Sequence, residues 1–301
     1  MKYFVLGLIL LGATAGAYAQ PPVMRHSDVR LTTGVRLHYV EQGDPNGPPI
    51  ILLHGYSDSW VSYTPILPLI DRKYHVYVPD QRGHGDSDRP TSGYTFPDFA
   101  ADVIAFMNAK GLKKATVVGH SMGSFVAQHV AIMAPERVEK LVLVGSAPAV
   151  KNEVVLQLQR DVSMLTDPVS PKFVREFQTG VVSKPVPDEF MDRVIQESLK
   201  VPARVWRDTM AGMLASNAKV DLSKITAPTL IIWGDRETVF PKRSEQDALH
   251  KAIPNATLKV YPATGHCPNW EEPNQFAKDL NDFIKTPAAI NKNKLAADKR
   301  G

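Results

Sequence analysis

Residues 115–133 read ATVVGHSMGSFVAQHVAIM: an apolar run, a turn through Gly119-His120-Ser121-Met122-Gly123, and a helical stretch over 122–133. A buried strand that passes directly into a helix through this pattern leaves the backbone little choice. The central residue sits at the apex of a strained turn, and the positions two residues away must lack side chains. The pattern therefore places Ser121 at the carboxyl end of a strand with its hydroxyl outward. It also aims the first amides of the following helix at the space beside that hydroxyl.

The rest of the chain repeats the alternation. Short β-rich runs occur at 36–41, 49–54, 74–80, 140–145, 229–234 and 257–261. The segment PIILLH at 49–54 is apolar throughout, as a strand buried on both faces would be. Between the runs, Phe99, Val103 and Phe106 share one helical face, and 274–285 also reads as a helix. The expected fold class is α/β, a mostly parallel doubly wound sheet.

One stretch departs from the alternation. Over 148–221 three patterns repeat at helical spacing: Val154, Leu158, Val162 and Leu165; Met191, Ile195 and Leu199; Trp206, Met210 and Met213. Pro168, Pro171, Pro185, Pro187 and Pro202 punctuate them. This is a helical insertion between two strands, and such insertions cover the crevice at the carboxyl ends of a parallel sheet. The expected core is 20–147 and 222–285, with 148–221 as the insertion.

A serine hydroxyl attacks well only beside a base, and the base needs a group to orient it. Among nine histidines, His266 follows the run 257–261, and Asp235 follows the run 229–234. Both lie at carboxyl ends of strands, on the side of the sheet that carries Ser121. The chain order serine, aspartate, histidine is the order a serine elbow requires. His54-Gly55-Tyr56 follows the buried run at 49–54, so the amides of Tyr56 and Met122 are the expected oxyanion donors. His54 reads as a brace for its loop. DQRGHGDS at 80–87 reads as a structural turn whose Asp and Arg satisfy loop groups.

The single cysteine, Cys267, excludes an intrachain disulfide and a cysteine-based zinc site. It reads as a small loop residue. Met1-Lys2, an apolar run at 4–11 broken by Gly7, and Ala17-Tyr18-Ala19 before Gln20 have the order of a secretory signal peptide over 1–19. The mature chain is expected to begin near Gln20, to be periplasmic or secreted, and to keep no membrane span. The segment 286–301, with Lys292, Lys294, Lys299 and Arg300, reads as a flexible basic tail. Lys2 and this tail carry the net charge of +4, so the charge is no sign of a nucleic-acid groove.

LLHGYSDSW at 52–60, DQRGHGDSDRP at 80–90, VGHSMGS at 118–124, WGDRET at 233–238 and GHCPNWEEP at 265–273 together resemble the α/β-hydrolase superfamily. The resemblance runs over about 29–285 and points to its serine-nucleophile, capped branch of carboxylesterase-like and haloperoxidase-like proteins. It implies that the helical insertion is a cap between the sixth and seventh strands. Epoxide hydrolases and haloalkane dehalogenases share the HG and RGHG loops but carry an aspartate where Ser121 stands. Meta-cleavage carbon–carbon hydrolases use serine, often with asparagine where this chain has His120.

The expected reaction is hydrolysis of a small to medium carboxylic ester or lactone through an acyl-serine, with no metal or organic cofactor. Carbon–carbon hydrolysis or cofactor-free perhydrolysis by the same triad is the alternative. A hydrolase fold that binds a ligand without turnover is a third. Trp60, Phe125, Trp206, Val239, Phe240 and Trp270 are the candidate lining of a substrate pocket.

Overall fold

The computed structural model describes residues 24–216 and 220–286. The leader at 1–19, and the tail apart from Thr286, lie outside the described residues. Eight strands form one sheet: β1 (Arg25–Arg30), β2 (Arg36–Gly43), β3 (Pro49–Leu53), β4 (His75–Pro79), β5 (Ala115–His120), β6 (Val138–Val144), β7 (Thr229–Gly234) and β8 (Ala256–Tyr261). Their order across the sheet is β1-β2-β4-β3-β5-β6-β7-β8. β1 and β2 run antiparallel; from β4 onward every pair is parallel.

Helices cover both faces: α1 (Phe96–Ala109), α2 (Met122–Met133), α3 (Glu153–Ser163), α4 (Pro171–Thr179), α5 (Asp188–Leu199), α6 (Ala203–Ala215), α7 (Arg243–Ala252), the single turn α8 (Pro268–Glu271) and α9 (Pro273–Lys285). The two-residue period of β3 sorts its apolar run between two layers. Ile51 and Leu53 pack with Phe99 and Phe106 of α1 and with Val126 and Val130 of α2. Ile50 and Leu52 pack in the opposite layer with Phe276 and Leu280 of α9. Burial on both faces is why β3 is apolar at every position rather than alternating.

Local signals fix several ends. Thr95 and Asp98 form a capping box that starts α1. Lys140 on β6 donates from Nζ to the carbonyls of Phe283 and Ile284, at 2.7 and 2.6 Å, and so satisfies the last turn of α9.

β1 differs from the sequence reading, which begins the sheet at residue 36. RHSDVR is an edge strand, half exposed and almost wholly polar, so it lacks the apolar signal that marks the others. The insertion between β6 and β7 comprises α3 to α6. α4 carries no long apolar pattern, being a short helix between Pro171 and Gly180. α6 seats the cap on the core: a Cβ on Gly212 would lie 2.0 Å from the Tyr94 carbonyl oxygen, so only glycine allows this approach.

Candidate active site

Ser121 stands between β5 and α2 with φ 50° and ψ −120°. This is costly for a residue with a side chain. The turn is locked by contact on both sides. A Cβ on Gly119 would lie 2.1 Å from the Gly123 oxygen, and a Cβ on Gly123 would lie 2.2 Å from the Leu53 oxygen. The Ser121 amide donates to the Val144 carbonyl at 2.9 Å, and Ser124 Oγ donates to the Ser121 carbonyl at 2.6 Å. Met122 opens α2, so its amide has no acceptor within the helix.

His266 follows β8, and its ring sits against Gly145, where a Cβ would come within 2.9 Å of Nδ1. Its loop is held by Glu271, a buried carboxylate that accepts from the amides of Gly265, Ser183 and Lys184 at 2.8 to 3.0 Å. His266 itself donates its amide to the Val181 carbonyl at 2.9 Å. The β8 loop and the cap thus share one knot of hydrogen bonds.

The carboxylate that meets the imidazole is Glu237. His266 Nδ1 lies 2.8 Å from both Glu237 oxygens. An ionised carboxylate only accepts, so Nδ1 carries the proton and Nε2 is left as the basic nitrogen. This corrects the expectation that Asp235 orients the ring: Asp235 is exposed at the end of β7. The chain turns immediately after it, with the Glu237 amide donating back to Gly234 at 3.2 Å, and the turn carries Glu237 inward. Burial raises the Glu237 pKa, but the His266 ring and the amides of Val239 and Phe240 outweigh it and hold the carboxyl below its usual range. The sequence offers two carboxylates two residues apart in WGDRET. Only the turn decides between them.

Burial keeps His120 and Cys267 neutral. Burial, with the neighbouring His266, pushes His120 down to about 3. Its Nε2 lies 3.0 Å from the His266 carbonyl and must donate to it, which leaves Nδ1 as an acceptor. Burial, with nearby Asp58, Glu271 and Glu237, pushes the Cys267 thiol well up, so it is no thiolate nucleophile. His54 is buried between the Gly55 carbonyl and the Gln81 amide, both within 2.9 Å, and braces the loop. In the 80–87 loop, Arg82 grips Asp102 through two bonds of 2.6 Å, and Asp80 accepts from the amides of Trp60 and Asp86.

A narrow cavity of about 60 Å³ lies over Ser121 and His266. Tyr56, Met122, Phe125, Val239, Phe240 and Trp270 line it, together with Val155, Leu158, Phe177, Met210 and Met213 from the cap. Trp60 and Trp206, expected in the pocket, are not among its lining residues. Trp206 is fully buried, donates from Nε1 to Val201 at 3.1 Å, and stacks edge-on against Tyr56 and Phe177. Trp60 packs against His26. Two polar side chains in the lining, Asp58 and Gln178, go unmentioned in the sequence reading because nothing in their spacing marks them.

Residues 48–273 match the family described as alpha/beta hydrolase fold. A non-heme haloperoxidase of Rhodococcus erythropolis is 30% identical over 280 residues, covering 86% of this chain and 99% of that protein. A bromoperoxidase from Bacillus anthracis superposes with a TM-score of 0.75 at 25% identity, over 86% of this chain and all of that one. An esterase from Exiguobacterium antarcticum superposes with a TM-score of 0.78 at 23% identity, over 87% of this chain and all of that one.

Proposed function

The chain belongs to the α/β-hydrolase family, and we propose that within it the protein is a serine hydrolase of small to medium carboxylic esters or lactones. The observation that carries this reading is the His266–Glu237 contact beside a strained Ser121, under an apolar cavity. A pure binding site needs neither the strain nor the oriented imidazole.

In this reading His266 Nε2 takes the Ser121 proton as Oγ attacks the substrate carbonyl. The tetrahedral oxyanion is held by the amides of Tyr56 and Met122, each contributing roughly 3–4 kcal/mol to transition-state stabilisation. Collapse breaks the bond to the alcohol oxygen, which leaves with the proton from His266. Water then gives a proton to His266 and attacks the acyl-serine, releasing the acid and restoring Ser121. Glu237 stabilises the imidazolium that forms in both halves.

A second reading draws on the relatives named as haloperoxidases. Hydrogen peroxide in place of water at the second step would give a peracid from the same acyl-serine. The deciding experiment is a panel of p-nitrophenyl esters of rising acyl length, run with and without peroxide and with Ser121→Ala as control. Ser121-dependent release of nitrophenol supports the ester reading, and its absence on every ester refutes it. Export is part of the same proposal, resting on the leader pattern at 1–19, and N-terminal sequencing of the mature protein tests it.

A further inference from the structure

Besides Ser121 and His266, the largely apolar cavity lining includes a few polar side chains. Of these, Asp58, which is 3% exposed, meets the cap: Gln178 Nε2 donates to Asp58 Oδ1 at 3.0 Å. The same nitrogen donates to Ser198 Oγ at 2.8 Å, and that hydroxyl donates onward to the Val194 carbonyl at 3.1 Å. This relay fixes the Gln178 amide with its nitrogen toward Asp58. Asp58 Oδ2 is turned toward Gly55: a Cβ there would lie 2.9 Å from Asp58 Oδ2, 3.2 Å from His120 Nδ1 and 3.5 Å from Ser121 Cβ. A carboxylate oxygen and an imidazole nitrogen therefore converge beside the nucleophile on a residue with no side chain.

His120 Nδ1 is buried and has no hydrogen-bond partner among the described residues. Its other nitrogen donates to His266, so Nδ1 can only accept. An unmet buried acceptor costs about 1–3 kcal/mol, so His120 Nδ1 calls for an O–H or N–H donor. The Asp58 carboxylate, which also accepts from the Gly55 backbone, lies beside that nitrogen. Burial is also the largest influence on the Asp58 carboxyl, raising it to about 7, while His266 pulls it down. The His120 ring centroid lies 5.1 Å from that of His266, the ring that protonates the departing alcohol. Asp58 Oδ2 and His120 Nδ1 converge on Gly55, so the pair sits on the leaving-group side.

We propose that Asp58, held by Gln178 and joined by His120, is a specificity subsite that receives a hydroxyl on the alcohol part of the substrate. The preferred substrates are then hydroxyalkyl esters, or lactones bearing a hydroxyl near the ring oxygen. This rests on the ester reading above and narrows its substrate class.

The test uses two esters of equal shape, 2-hydroxyethyl butyrate and propyl butyrate. Their binding is measured by calorimetry on Ser121→Ala, where neither can turn over. At pH 8, above the Asp58 value of about 7, the hydroxyl ester is expected to bind roughly tenfold tighter, the factor conveyed by one hydrogen bond to a charged group. Adding Asp58→Leu removes this preference. Asp58→Asn, nearly isosteric and able to accept from Gln178, reduces it should the leucine variant not fold. Equal affinities, binding of neither ester, or a preference that survives both substitutions overturns the proposal. Turnover of propyl butyrate by the unmodified protein is read separately, so loss of the subsite and loss of the ester reading are distinct outcomes.

Discussion

Glu237 and His266 are joined through Nδ1 at 2.8 Å to each carboxylate oxygen, although the two residues come from loops after different strands. Asp235 lies two residues nearer to β7 and is exposed. Substitutions separate them cleanly. Glu237→Gln leaves the shape but removes the charge that supports the imidazolium, and kcat is expected to fall by on the order of 10³–10⁴. Asp235→Asn is expected to change kcat/KM less than about twofold, as surface substitutions do. Steady-state kinetics on one ester with both variants checks the pair.

Ser121 predicts an exchange of stability against activity. Its φ of 50° is strained for serine but ordinary for glycine. Ser121→Gly is expected to abolish turnover and to stabilise the protein by about 1–2 kcal/mol. In a domain of this size that is a rise of about 2–8 °C in Tm. Ser121→Ala is expected to abolish turnover without that gain. Thermal unfolding of the two inactive proteins side by side decides it.

The Asp58 carboxyl gives a pH signature of stability. Its folded-state pKa, raised to about 7, lies above the unfolded value. The folded state therefore holds this proton after the unfolded chain has lost it. Stability from this group is fully present below pH 4 and falls as pH rises to 7, by about 1.4 kcal/mol for each unit of pKa difference. Asp58→Asn has no such proton to lose. Its stability relative to the unmodified protein should climb between pH 4 and 7 and level off above. Urea unfolding at a series of pH values measures the difference, and a flat difference would contradict the shift.

Phe125 of α2 and Met213 of the cap both line the cavity. Both are almost fully buried. Met213→Ala should move the preferred acyl chain toward greater length, and Phe125→Ala should do so more strongly. The cost is about 2–5 kcal/mol of stability for each. The chain-length profile on p-nitrophenyl esters reads the shift.

These sites differ in how far the chain announces them. The serine turn is legible because two glycines must flank it, and the contacts of Gly119 and Gly123 supply the physical reason. His266 is legible from its place after a strand. Glu237 is not, because strand periodicity ends at Gly234 and the turn beyond it has no period to read. β1 escapes for a related reason: an edge strand with polar side chains needs no apolar pattern, since β2 supplies its pairing. Trp60 and Trp206 are plausible pocket residues by type, but an indole packs as well behind a pocket wall as on it. Trp206 does this, supporting Tyr56 and Phe177 from behind.

The Tyr56 hydroxyl donates to the Trp206 carbonyl of α6 at 2.6 Å, a bond between the oxyanion loop and the cap. Its backbone amide is the one assigned to the developing oxyanion. One side chain therefore ties the cap to the loop beside the nucleophile. The position of α6 and the position of the Tyr56 backbone are not independent: whatever sets the seat of the cap also sets the aim of that amide.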